Sequence, residues 1–524
     1  MSSTVRKIGV ASLIMMGSVL LSRVIGLLRE MVIAHMGGTG GAVDAYQVAF
    51  IIPEILNHVL ASGFLSVTFI PLFSGYVMEG REGKGFELCN AILTVFGTLL
   101  VVLTLLAMVF APQLISWVAP GLKNSELTAA TVRMTRIIIP AQLFFFIGGL
   151  FSAIQFAREK FILPALAPLI YNAGIIIGGI LLGPRLGMEG FSWGVLGGSF
   201  FGNFLLQFLG SRRLGYRFKW NFNLRHENLK KYVLLTLPLM LGVTMMFSTE
   251  VFIRFFGSFL PRGSIAGLNY AIRILFILVG LFGQAVGVAS FPFLARLAAE
   301  NSLNEMNRLM NDTLRVLALV IPVSILVMVL RHEVVAMLFQ HGKFNAESTG
   351  ITADALIFLM AGAYAFAAQT LVVRGFYAVQ NTLFPAIFGT LAVILSLPIY
   401  LLGVKFMGIK GLSLAIAVSA FFQVLMIYEV WHRRFEKSEK IKVYGTILKM
   451  VALAAPIGFC LEWMRRAWVS PEKVMSFSQN LMVLLALSTL FALLFAALAY
   501  AFKIDEVRII LERSKRFKPF KFPS

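Results

Sequence analysis

Apolar runs recur from one end of the chain to the other, each parted from the next by a short polar or glycine-rich stretch. A run of about 18 residues or more is long enough, as a helix, to cross a hydrocarbon core of about 30 Å. Such runs fall at approximately 8–36, 45–76, 88–112, 129–156, 162–183, 191–211, 232–259, 266–297, 312–331, 350–378, 383–403, 411–432, 445–465 and 478–502. The pattern predicts an all-α integral membrane protein with about 14 transmembrane helices. The first run is too long for a cleaved signal peptide, carries charges in its middle and lacks a small-residue cleavage site after it.

The runs also repeat. A shift of 221 residues carries Pro71 onto Pro292, Asn90 onto Asn311, Gly121 onto Gly342, Pro164 onto Pro385 and Gly190 onto Gly411. The segment FILPALA (Phe161 to Ala167) falls on TLFPAIF (Thr382 to Phe388), and Phe200–Phe201 falls on Phe421–Phe422. These landmarks are turn and kink residues, and their register holds without a gap. Two six-helix lobes follow, spans 1–6 and 7–12. An even number of spans per lobe makes them parallel repeats about an axis along the membrane normal, an arrangement used by transporters. Spans 13 and 14 fall outside the repeat. The expected division is an N-terminal lobe at 1–220, a C-terminal lobe at 221–440, an appended helix pair at 441–505 and a basic tail at 506–524.

Composition agrees. Of 524 residues, 58% are hydrophobic and only 14% charged, with mean hydropathy +0.84; a soluble chain carries about 25% charged residues. The net charge of +21 comes from 46 Lys and Arg against 25 Asp and Glu. With the N-terminus inside, about 30 of the 46 basic residues lie on one side, against about 10 opposite. That asymmetry places both termini in the cytoplasm. Basic loops facing anionic lipid account for the charge without any nucleic acid. Cys89 and Cys460 lie too far apart for a metal motif, and the six histidines show no ligand pairing. GREGKG (Gly80 to Gly85) lacks the spacing and the hydroxyl residue of a phosphate loop. No catalytic constellation, metal site or cofactor site is expected, and the chain is not expected to be an enzyme.

Charges inside spans cost roughly 2.5–3.5 kcal/mol each on insertion scales, so their placement is informative. Span 1 holds Ser22, Arg23, Arg29 and Glu30; span 2 begins with Asp44 and continues with Glu54, Asn57 and His58. Span 7 carries Glu250 and Arg254, and span 8 carries Asn269, Arg273 and Gln284. The polar residues thus come from the first two helices of each lobe. Arg23, Gly26 and Glu30 share one helical stripe, Glu54, Asn57 and His58 another, and Glu250 and Arg254 are an i, i+4 pair. The cavity reading puts these residues around a central chamber. The competing structural roles are snorkelling for Arg29 and Arg254, an intrahelical ion pair for Glu250–Arg254, and capping of the second helix by Asp44. Pro71, Pro292 and Gly26 are the candidate hinges.

The segments SRVIGLLREMVIAHMGGTGGAVDAYQVAFIIPEIL, SGFLSVTFIPLFSGY, FAREKFILPALAPLIYN, LFQHGKF and GFYAVQNTLFPA resemble the MurJ/MviN family of bacterial lipid II flippases. That family belongs to the MATE-like multidrug, oligosaccharidyl-lipid and polysaccharide exporter superfamily. The resemblance implies two six-helix lobes plus two helices that form a lipid-facing groove. It implies a multi-pass protein of the bacterial cytoplasmic membrane, working in peptidoglycan biosynthesis. Its substrate would be lipid II, the undecaprenyl-pyrophosphate-linked peptidoglycan precursor, with membrane lipids and other cell-wall synthesis proteins as partners. By the same resemblance Ser22, Arg23, Arg29, Asp44 and Arg273 bind substrate, and Glu30, Glu54, Asn57, Glu250, Arg254 and Asn269 are candidate cavity-lining residues. The sequence departs from the family where Asn57 stands in place of an arginine, Glu54 in place of an asparagine, and Phe276 in place of an acid. Spans 11 and 12 lack the acids of a sodium site that some members have. The alternative functions are flipping of another polyprenyl-linked glycan and MATE-like export of a small molecule; the basic balance of the polar spans disfavours a drug cation.

Overall fold

The computed structural model describes residues 3–60, 68–122, 125–223, 228–381, 383–433, 437–468 and 476–502, and these form helices joined by short turns, without strands. The 506–524 tail and most of the SGFLSVTF stretch lie outside the described residues. In chain order the helices are α1 (Ser3–Gly37), α2 (Gly41–Ala49), α3 (Ile51–Leu60), α4 (Ile70–Met78), α5 (Glu82–Val109), α6 (Ala111–Val118), α7 (Ser125–Ile138), α8 (Ala141–Ala157), α9 (Ile162–Leu186), α10 (Met188–Ser199), α11 (Leu206–Arg213) and α12 (Leu229–Gly257). There follow α13 (Ser264–Val279), α14 (Ala285–Ala299), α15 (Leu303–Leu317), α16 (Val320–Val329), α17 (Arg331–Phe339), α18 (Ala346–Ala361), α19 (Ala363–Ala378), α20 (Leu383–His432), α21 (Lys437–Trp468) and α22 (Phe477–Ala501). Wider π turns interrupt the chain at Phe200–Leu205 and Gly280–Gln284.

Among the described residues, eight helices are individually long and apolar enough to cross a membrane, and a ninth is the bent α18–α19 pair. The sequence pattern predicts more spans than that because it joins short helices and divides α20. At 50 residues α20 would extend about 75 Å if straight, far beyond a bilayer core. It is not one rod: Gly408 has φ 58° and ψ −130° and breaks it.

That break belongs to a pattern. Gly187, between α9 and α10, has φ 58° and ψ −133°, and Gly408 lies 221 residues further on. Gly80 (φ 69°) and Asn301 (φ 53°) are separated by the same interval, as are Glu159 (φ 56°) and Gln380 (φ 59°). L-residues other than Gly rarely adopt this region. Three recurrences at one interval mean that the repeated turn residues turn the chain in the same way. Buried Asn90 and Asn311, also 221 residues apart, both accept a tyrosine hydroxyl, from Tyr216 and Tyr428 respectively.

The chain divides into two compact units. One comprises residues 1–266 and 341–348, the other 267–340 and 349–524. In the first, α9 and α10 meet through glycines: a Cβ on Gly178 would lie 2.4 Å from the Gly194 Cα. Small residues allow this close approach of membrane helices. Phe69, Phe73, Leu88, Ile92, Phe146 and Tyr216 form one apolar core of this unit, and Val48, Ile51, Ala111 and Ile265 anchor another. α12 packs on α3 within the same unit.

In the second unit, Leu294, Met310, Leu314, Leu371, Val372 and Trp431 centre the main core, and Val443 and Met450 of α21 join it. A second core joins Val329 and Leu330 to Ala454, Leu461, Leu487 and Phe491. The appended helices α21 and α22 are thereby packed onto α16 and α17.

Candidate functional site

The polar residues of the first unit separate into three groups with different chemistry. The first is on α1. Arg29 Nη1 donates to Asn172 Oδ1 on α9 at 3.0 Å, and its Nη2 meets Glu30 Oε1 at 2.5 Å. Asn172 is itself fixed, donating to the Pro168 carbonyl one turn earlier. Gly26 faces the same asparagine: its Cβ would come within 4.0 Å of Asn172 Oδ1. Glu30 is 2% exposed, so it serves as the counter-ion behind Arg29. Arg29 Nε is buried without an acceptor among the described residues. Ser22 is half-buried and Arg23 exposed. Six residues of helix separate the two arginines by about 9 Å along the axis.

The second group is centred on Asp44, which is 4% exposed. Its carboxylate accepts the backbone N–H of Gly263 at 2.5 Å and of Ala266 at 2.7 Å. Asp44 is therefore not the cap expected for the second helix. α2 begins at Gly41, too early for Asp44 to be its cap, and Asp44 satisfies the free amides at the start of α13 instead. An acid there also complements the helix dipole.

The third group surrounds Arg254, which is 4% exposed. Its guanidinium pairs with Glu250 one turn back on α12 and lies 3.6 Å from Glu54 Oε2 on α3. Nε donates to the Gln47 carbonyl at 3.1 Å, and Nη1 to the Glu250 carbonyl at 3.1 Å. The two carboxylates are partly exposed above it. The ion pair between Glu250 and Arg254 read from their spacing is present, and Glu54 makes it a triad of net charge −1. Asn57 is half-buried on α3. His58 bonds through Nδ1 to the Glu54 carbonyl at 2.7 Å.

In the second unit, α13 carries Asn269, buried, and Arg273, exposed. Three features here have no counterpart in the sequence reading. Arg374 on α19 donates from Nη2 to Gln284 Oε1 at 3.1 Å. Arg331 binds both carboxylate oxygens of Glu462, at 3.0 and 3.2 Å. Arg465 bridges Glu462 at 3.1 Å and Glu333 at 3.2 Å, and Arg466 adds a contact to Glu462 at 2.9 Å. This ionic cluster ties α17 to α21 at the end of their apolar contact. Asn172, the brace of Arg29, has no counterpart there either, because a single Asn among apolar residues carries no spacing signal. Among the described residues, no cluster of His, Cys, Asp and Glu has the makings of a metal site.

The lipid II flippase MurJ family model matches residues 33–498. A lipid II flippase MurJ from Burkholderia cenocepacia is 28% identical over 426 residues, covering 80% of this chain and 82% of that protein. A probable lipid II flippase MurJ from Haemophilus influenzae is 27% identical over 466 residues, covering 84% and 90%. Among solved structures, a lipid II flippase MurJ in an inward closed conformation superposes with TM-score 0.75 at 23% identity, covering 94% of this chain and 99% of that one. An inward-facing multidrug MATE transporter gives TM-score 0.65 at 13% identity over 79% of this chain and 94% of that one. The structural likenesses establish a MATE-like fold; the match of sequence to family model over most of the chain establishes more, and this membrane protein belongs to the lipid II flippase MurJ family.

Proposed function

We propose that this chain carries lipid II from the inner to the outer leaflet of the bacterial cytoplasmic membrane by alternating access, with both termini in the cytoplasm. Transport makes and breaks no covalent bond, and no catalytic residue, cofactor or metal is assigned. The pyrophosphate is taken by Arg23 and Arg29 on the first lobe and Arg273 on the second. The polyprenyl tail stays in lipid and threads out toward α21 and α22. The two lobes rock about the bound headgroup, with Gly26, Pro71 and Pro292 as hinges.

The observation that carries this reading is the setting of Arg29. Asn172 and Glu30 hold its guanidinium, and one nitrogen is left without an acceptor among the described residues. A planar, pre-oriented fork of donors suits a phosphate. Arg23 adds an exposed charge less than two turns away. Ser22 supplies a hydroxyl beside Arg23. Asp44 acts indirectly, by fixing the start of α13. Glu54, Asn57 and Glu250 contribute a more acidic wall, which favours the amine- and amide-bearing parts of the headgroup over its phosphates.

The test is complementation in a host depleted of its own flippase, with lipid-linked precursor measured leaflet by leaflet. Arg23→Ala and Arg273→Ala should each abolish growth and leave precursor in the inner leaflet, while the protein still inserts. Lysine at either position should rescue in part, since a point charge lacks the two-pronged geometry. Full activity of the Arg23→Ala, Arg273→Ala double variant would sink the reading.

A further inference from the structure

Arg374 lies in a slot built by features that have no other evident use. The π turn Gly280–Gln284 separates α13 from α14, and such turns recur at functional sites. α19 lies directly on this turn: a Cβ on Gly283 would be 2.7 Å from the Ala367 Cα. Thr370 Oγ1 donates to the Gly283 carbonyl at 3.0 Å, tying α19 to the widened turn. One turn further along α19, the Arg374 guanidinium lies over Gly287, where a Cβ would stand 2.2 Å from Nη1. Any residue but glycine there would push the guanidinium out. Gln284 holds the other side through Nη2 at 3.1 Å.

The slot holds a charge that no described residue neutralises. Gln284 is neutral, and Arg374 makes no ion pair among the described residues. Its Nη1 is buried and has no acceptor among the described residues. A guanidinium fixed in an apolar helix bundle with an unused donor is costly, and the missing partner is an anion with oxygens to spare.

We infer that Arg374 is a second phosphate-binding position on the C-terminal lobe, receiving the pyrophosphate of the lipid-linked substrate at the lobe's cytoplasmic end. This rests on the proposed flippase function and its orientation. Arg374 stands four residues before the end of α19, the end that the basic loops place at the cytoplasm. Arg273 and Gln284 are eleven residues apart in sequence, about 16 Å along a helix. The lobe thus presents two arginine positions at different depths, and the headgroup meets Arg374 first on its way outward. Gln284 is a positioning residue: it aims the fork.

The test measures binding of lipid II and, separately, of phosphatidylglycerol to the full chain by native mass spectrometry, for the unaltered protein, Arg374→Gln, Arg374→Lys, Gln284→Ala and Arg23→Ala. Arg374→Gln should weaken lipid II binding about tenfold or more, the size expected for one charge-assisted contact, with phosphatidylglycerol binding and thermal stability unchanged. Arg374→Lys should recover part of the loss, and Gln284→Ala should lose less than Arg374→Gln. Equal lipid II affinity for Arg374→Gln and the unaltered protein overturns the inference. So does an equal loss for phosphatidylglycerol, which makes Arg374 a bulk-lipid anchor, or a matching loss of thermal stability, which makes it structural. Loss in Arg23→Ala without loss in Arg374→Gln overturns this inference alone. No binding of lipid II by the unaltered protein overturns the flippase reading and this inference with it.

Discussion

Arg254 in the first unit and Arg374 in the second interrupt their apolar helices in the same way, yet they live in opposite surroundings. Arg254 has two carboxylates, Glu54 and Glu250, and two backbone carbonyls around it. Arg374 has one neutral amide and a buried nitrogen with no acceptor among the described residues. Hydropathy sees the two as equal breaches of a span. Their partners make one a closed structural triad and the other an open receptor. A membrane arginine therefore points to a ligand only when the protein leaves its donors unspent.

The widest separation between the two should appear in stability. Arg254→Ala strands two carboxylates that its charge had compensated. Breaking a buried pair costs roughly 3–5 kcal/mol, and because Glu54 and Glu250 are partly exposed the loss should fall near about 3 kcal/mol. Arg374→Gln should change stability by less than about 1 kcal/mol. Equilibrium unfolding in matched micelles reads both. Adding Glu54→Gln and Glu250→Gln to Arg254→Ala should restore most of the loss. If Arg254→Ala is as stable as the unaltered chain, the triad is not what holds α12 to α3.

Asp44 gives the acidic version of the same contrast, because it could be a substrate contact or a structural acceptor. Its carboxylate is occupied by two backbone amides. Removing a cap costs about 0.5–2 kcal/mol, and a buried one with two amides should lie at the upper end, so Asp44→Ala should lose about 2 kcal/mol. Asp44→Asn keeps one acceptor and should lose less. An Asp44→Asn protein of unchanged stability that fails to transport would return Asp44 to the list of direct contacts.

Much of this was legible in the sequence, though unevenly. The helical class, the repeat interval and the resemblance rested on long-range regularities that a chain cannot hide: Gly187 and Gly408 stand at the same repeat position and share one backbone conformation. Arg29 and the Glu250–Arg254 pair were visible as charges within spans. Their partners were not. Asn172 lies 143 residues from Arg29, and Gly263 lies 219 residues from Asp44, so no local pattern links them. Arg374 carries no signal in the sequence alone, because its meaning depends on the glycine slot opposite it.

The cluster joining α17 to α21 sharpens the contrast in a third way, with positive charge in excess yet every cation paired. Glu333 is 1% exposed and bound by Arg465, which also holds Glu462. Glu333→Gln should therefore be milder than Arg254→Ala, since Arg465 keeps a carboxylate. The expected loss is about 1 kcal/mol, read as earlier unfolding of the α21–α22 pair by hydrogen exchange. A loss equal to that of Arg254→Ala would mean that Glu462 alone does not compensate Arg465.

His332, beside this cluster and beyond the apolar stretch of α15–α16, should show the smallest effect. Burial pushes its pKa down from the usual 6.5 to about 4, and repulsion from Arg331 and Arg465 adds to the shift; Asp354 and Glu462 oppose it without reversing it. Between pH of about 6.5 and about 4 the unfolded chain binds a proton at this site that the folded chain does not. Unfolding then takes up protons, so stability rises with pH across that window and falls as the medium is acidified. Below about pH 4 both states carry the proton and the dependence ends. His332→Gln should remove this share of the slope. The difference in unfolding midpoint between His332→Gln and the unaltered chain should thus change between pH 7 and pH 4, in favour of the variant at the acid end. A difference that stays constant with pH would show that His332 titrates alike in both states, and that neither burial nor the neighbouring arginines depress it in the folded chain.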